Sequence, residues 1–96
     1  MTVKTRPFDA TEYLDSPEAI SAYLADAFAS NDIAEIADAL GIAARARGMS
    51  RLAEETGLNR QQLYRTLSVG GRPELGTVLK VADALGFRLE LVPKVA

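Results

Sequence analysis

The run Ser50-Arg51-Leu52-Ala53-Glu54-Glu55-Thr56-Gly57-Leu58-Asn59-Arg60-Gln61-Gln62-Leu63-Tyr64-Arg65-Thr66-Leu67 constrains the fold more than any other stretch. Its spacing fits a helix, a three-residue corner and a second helix. Ser50 is expected to cap the first helix, its hydroxyl accepting an orphan N–H two or three residues on. Leu52 and Ala53 then face inward and Glu54 and Glu55 face water. Gly57 supplies the left-handed backbone that ends a helix, and Leu58 plugs the corner from beneath. Asn59 caps the second helix, whose buried stripe is Leu63 and Leu67, four residues apart.

What remains outside is Arg60, Gln61, Gln62, Tyr64 and Arg65, a donor-rich face with no acid in it. Arginine can bond two acceptors on a guanine edge, and glutamine can pair with adenine in the same two-point way. A helix entering the major groove leads with its N-terminal residues, here Arg60 and Gln61. The plainer reading is a solvated helix of a small bundle. The order small residue, glycine, plug, cap and basic face favours DNA.

This stretch resembles the lambda-repressor-like (Xre) helix-turn-helix, through Leu52-Ala53-Glu54-Glu55-Thr56-Gly57 and the following Asn59-Arg60-Gln61-Gln62-Leu63-Tyr64. A wider resemblance, over about residues 8 to 92, is to the addiction-module antidote proteins, antitoxins of toxin–antitoxin operons. It is carried by residues 43–50 (AARARGMS), 63–68 (LYRTLS) and 77–86 (TVLKVADALG). The resemblance implies an all-α, lambda-repressor-like bundle of about five helices and a toxin partner of the RelE type, a small basic ribonuclease that cleaves messenger RNA.

Composition narrows the alternatives. Ninety-six residues make one domain, of a size that dimerisation often helps to stabilise. Cysteine and histidine are both absent, which removes disulfides, thiolate zinc sites and the commonest general base. No nucleophile–base or paired-carboxylate pattern stands out, so neither an enzyme nor a bound cofactor or metal is expected. No apolar run approaches the ~20 residues that span a bilayer, and no signal-peptide segment opens the chain; a cytoplasmic protein is expected. Charge is divided: residues 1–43 carry two bases against eight acids, net −6, and residues 44–96 carry nine against five, net +4. Two surfaces with different partners follow from such a division.

Taken in order, residues 1–15 read as an N-terminal arm, with Pro7 barring a helix and Phe8, Tyr13 and Leu14 as anchors. Residues 16–47 hold two helices. Ser16 and Pro17 open the first, and Ile20, Tyr23, Leu24, Ala27 and Phe28 form its apolar face. Asn31 or Asp32 caps the second, which buries Ile33, Ile36, Ala37, Leu40 and Ala44. Gly41 lies inside it, at a cost of about 1 kcal/mol and with a possible bend. Arg45 and Arg47 fall in its last turn, where they either meet phosphate or complement the helix dipole, and Gly48 ends it. After the two-helix elbow of 50–67, Gly70, Gly71 and Pro73 mark a loop whose exposed N–H groups and Arg72 could hold a phosphate. The last helix, 74–86, is expected to bury Leu75, Val78, Leu79, Ala82 and Leu85. Residues 87–92 alternate for the most part, a strand pattern, and Pro93 ends it. A single strand must find a partner, in a second subunit or in another protein.

The function expected is therefore a DNA-binding antitoxin and autorepressor. A homodimer would place two recognition helices in successive major grooves of operator DNA, about 34–36 Å apart. Arg60, Gln61, Gln62, Tyr64 and Arg65 would face bases; Met49 or Ser50 N–H groups, Asn59 and Arg72 would hold phosphates. The acidic segment 9–38 would meet the basic toxin. The alternatives are a stand-alone regulator without a toxin partner and a pure interaction domain with a vestigial corner.

Overall fold

A computed structural model describes residues 14–95 and shows five helices: α1 (Pro17–Ala29), α2 (Ile33–Arg47), α3 (Met49–Thr56), α4 (Arg60–Thr66) and α5 (Leu75–Ala84). Phe8 and Tyr13 of the expected arm lie outside the described residues; Leu14 is buried, as an anchor should be. No helix among the described residues is long and apolar enough to cross a membrane.

Helix α1 starts as its sequence dictates. The Ser16 hydroxyl accepts the Ala19 N–H at 3.1 Å, and Pro17 occupies the first turn. Leu24 is buried, with Ile20, Tyr23, Ala27 and Phe28 packed around it. Of the two capping candidates for α2 it is Asp32 that acts, its Oδ1 accepting the Ala34 N–H at 2.9 Å. Asn31 instead takes the left-handed conformation that links the two helices. Burial raises the Tyr23 phenol above its ordinary range, and the nearby Asp38 carboxylate adds to this against the opposing Arg45 charge.

Helix α2 is the hub. It packs on α1, α3 and α4, while α3 also packs on α4 and α5. Ala37, Ala39, Leu40, Ala43 and Ala44 are all buried, a wider face than one stripe; Ile33, expected inside, lies at the exposed start of the helix. Gly41 produces no break in α2. Its role is close approach: a Cβ there would overlap the carbonyl oxygen of Leu67, at the end of α4. The missing methyl lets two backbones touch.

Three further expectations are corrected. Ser50 does not cap α3. The helix begins two residues earlier than a Ser50 cap requires, at Met49, whose side chain is buried, and Gly48 is the N-cap without a side-chain bond. Helix α5 is turned relative to the expected stripe. Val78, Val81, Ala82 and Leu85 are buried, while Leu75 is 68% and Leu79 47% exposed. The line Val78–Ala82–Leu85 has apolar residues on both flanks, so periodicity alone could not choose between Leu79 and Val81. Finally, no strand forms at 87–92. The helix end is closed by Phe87 N–H donating to Ala82 O and Gly86 N–H to Asp83 O, both at 2.9 Å. Beyond it the chain has no regular secondary structure and no strand partner among the described residues; an isolated strand cannot satisfy its own backbone groups.

Two glycine substitutions separate these effects. Gly41→Ala should destabilise the fold by about 2–3 kcal/mol, because backbone must shift to admit the methyl. Gly76→Ala, in open space on α5, should be neutral or stabilising by up to about 1 kcal/mol. Denaturant unfolding of both variants checks this; equal effects would contradict the close-approach role of Gly41.

Candidate nucleic-acid interface

The elbow between α3 and α4 is fixed by a short chain of local bonds. Gly57 ends α3 in the left-handed region, φ 73°, and its N–H donates to Ala53 O at 2.9 Å. The Thr56 hydroxyl donates to Leu52 O at 2.8 Å and accepts the Leu58 N–H at 3.2 Å. This ties the last turn of α3 to the corner and was not anticipated from sequence. A threonine immediately before the corner glycine was the available signal, since its hydroxyl can bond back one turn. Leu58 packs half-buried against the core beneath the corner. Asn59 Oδ1 accepts the Gln62 N–H at 3.0 Å and so caps α4.

Helix α4 is held from the opposite side by Leu63 and Leu67, both buried. Its C-terminal carbonyls rest on two glycines. Gly41 meets Leu67 O, and Gly71 meets Thr66 O so closely that a Cβ would overlap it. The seating leaves one face free. Arg60, Gln61, Gln62, Tyr64 and Arg65 are all exposed and share the outer surface of the elbow. Neither Arg60 nor Arg65 has a carboxylate partner among the described residues. The Arg60 guanidinium lies 5.7 Å from the centre of the Tyr64 ring, a cation–π pair one turn apart that steadies the side chain without using its hydrogen-bond donors.

The residues expected to hold phosphates are less uniform. Asn59 and Ser50 are exposed. The Met49 side chain is buried, so that residue can offer only its backbone N–H. The first turn of α3 has no side-chain cap, and its leading N–H groups have no acceptor within the helix. Arg72 is exposed in the loop after α4. The loop's N–H groups are not all free, as had been expected: that of Gly71 donates to Ser68 O at 2.9 Å. Of the two arginines ending α2, Arg45 is exposed. Arg47 is half-buried and reaches Leu85 O at 3.5 Å, a weak tie to the end of α5.

A second surface has the opposite charge. Asp15, Glu18, Asp26, Asp32 and Glu35 are exposed along α1 and the start of α2. No lysine or arginine occurs between residues 14 and 43 to offset them. The basic elbow and the acidic helices are thus carried by different elements of one small body.

A family model described as "Probable addiction module antidote protein" matches residues 4–93. The chain belongs to that family. It is also 41% identical over 91 residues to an uncharacterized protein of Haemophilus influenzae (strain ATCC 51907 / DSM 11121 / KW20 / Rd), covering 95% of this chain and 94% of the relative. No solved structure matches it. An antidote implies a toxin to be neutralised, which agrees in kind with the antitoxin expected from sequence.

The corner makes two contributions that mutation can separate. Asn59→Ala should cost about 1 kcal/mol through the lost cap, and Thr56→Val about 1 kcal/mol through the two lost bonds. Chemical denaturation reads both. If Thr56→Val left stability unchanged, its hydroxyl would not be what ties α3 to the corner.

Proposed function

We propose that the chain is a DNA-binding antitoxin and autorepressor, which reads operator DNA through the α3–α4 elbow and neutralises a RelE-type toxin by direct binding. The elbow is read as a lambda-repressor-like (Xre) helix-turn-helix. The observation that carries the reading is the free face of α4: five exposed donor-bearing side chains on a helix whose other side is buried, capped and seated on glycines. Arg60 and Gln61 stand at the N-terminal end, which enters a major groove first. Arg60, Gln61 and Arg65 address base edges, with Gln62 and Tyr64 beside them. Asn59, Arg72 and the N–H groups of Met49 and Ser50 take phosphates and fix register.

Repression of a near-palindromic operator calls for a homodimer, so that two elbows occupy successive grooves. The acidic surface of α1 and α2 is the docking face for the basic toxin, because opposite potentials steer encounter and exclude wrong partners. Keeping the two surfaces on separate elements allows a toxin and DNA to be bound by one antitoxin at once. The protein acts in the cytoplasm by binding alone and carries out no catalysis.

Replacing both Arg60 and Gln61 by alanine should weaken binding to the promoter DNA of its own operon by about 100-fold or more, at about 1–3 kcal/mol for each two-point base contact. Both residues are exposed, so unfolding stability should stay within about 0.5 kcal/mol. Wild-type affinity should fall steeply with salt as phosphate contacts release counterions. An unchanged gel-shift affinity for the double variant would refute the assignment of this face.

A further inference from the structure

We propose that residues 87–91 form the contact between two copies of this chain, as a two-fold antiparallel strand pair centred on Leu89. The inference deepens the dimeric reading above and rests on it. The segment leaves the end of α5 anchored, since the Phe87 N–H is held by Ala82 O and the Phe87 ring packs against the core. From Arg88 onward the backbone makes no backbone hydrogen bond among the described residues. Its sequence nevertheless alternates, apolar at Phe87, Leu89 and Leu91 and charged at Arg88 and Glu90, a pattern that strand pairing would place on opposite sides. Leu89 is 42% exposed and Leu91 wholly so. An apolar edge with unpaired backbone is a template for another strand.

Charge selects the partner and the register. A contact between identical copies must be self-complementary. With the two-fold axis at Leu89, Arg88 lies opposite the partner's Glu90, and Glu90 opposite the partner's Arg88. Leu89 then meets its own copy, and Phe87 meets the partner's Leu91. Centring on Arg88 or on Glu90 instead sets like charges face to face. Centring between two residues sets apolar side chains against charged ones. In the single chain Arg88 and Glu90 already attract one another, Nη2 to Oε2 at 2.9 Å, but both are largely exposed. The pair is therefore available for exchange across the two-fold axis. The segment borders a groove of about 350 Å³ whose wall is mostly apolar, from Leu24, Phe28, Ala82 and Phe87, with Arg88 and Glu90 also at its lining. The partner's Leu91, opposite Phe87, would cover it, adding the side-chain burial that a two-stranded ribbon alone lacks.

Light scattering of the full chain without DNA, combined with charge exchange, tests this. Arg88→Glu alone and Glu90→Arg alone should each raise the dimer dissociation constant about tenfold or more, since each sets like charges opposite. Mixing the two variants should restore dimers, because both carboxylates of the one chain then face both guanidinium groups of the other. A pair acting only within one chain gives no such rescue. The chain has no cysteine, so register can be read by introduced ones. Leu89→Cys should form an intermolecular disulfide, with opposed Cα atoms about 4.5–5.5 Å apart. Leu91→Cys should not, its two copies being offset by about 13 Å along the strands. A monomeric wild-type chain, single variants as dimeric as wild type, a mixture that stays monomeric, or equal cross-linking at 89 and 91 would each overturn the proposal. None of these readings involves operator DNA. Intact dimers that ignore the promoter would therefore count against the DNA-binding face and not against this contact.

Discussion

The contact on which the structure turns is between backbone and backbone: the last carbonyls of α4 resting on Gly41 of α2 and Gly71 of the following loop. Helix α4 has seven residues, too few to be stable alone in water. Its existence depends on what it is set against. Leu63 and Leu67 supply apolar burial, Asn59 satisfies an orphan donor at one end, and the glycines allow the other end to be drawn against α2. A side chain at either glycine would push the helix outward and alter the direction in which Arg60, Gln61 and Arg65 project.

That geometry gives the elbow its chemical character. A rigid short helix presents side chains at fixed spacing without paying to order them on binding. The cation–π pair of Arg60 and Tyr64 extends this order into the exposed face. As the docking face proposed above, the acidic surface would need less precision, since steering and exclusion by charge act over distances near the Debye length. Placing it on α1 and the start of α2 keeps it off the element that carries the basic face.

Much of this was legible in the sequence because it is local. Ser16, Asp32, Gly57 and Asn59 announce helix ends through bonds made within a few residues, and the structure has each of them. The outer face of α4 follows from the positions of Leu63 and Leu67. What was not legible depends on contacts distant in sequence. Gly41 looked like a local penalty because its use lies with Leu67, in another helix. The rotation of α5 was hidden because Leu79 and Val81 are equally apolar, and only packing against α3 chooses between them. Ser50 misled because a buried Met49 side chain draws the start of α3 back to Gly48. The sequence alternates over 87–91, yet among the described residues it finds no strand to pair with.

The central claim is that the outward side chains of α4 are what meets DNA. The most direct measurement is NMR of the labelled protein titrated with duplex from the promoter of its own operon. The side-chain amides of Gln61 and Gln62 and the guanidinium Nε–H groups of Arg60 and Arg65 should shift most, with smaller changes at Met49, Ser50 and Arg72. Shifts confined to α1 and the start of α2, with the α4 face unmoved at saturation, would contradict it.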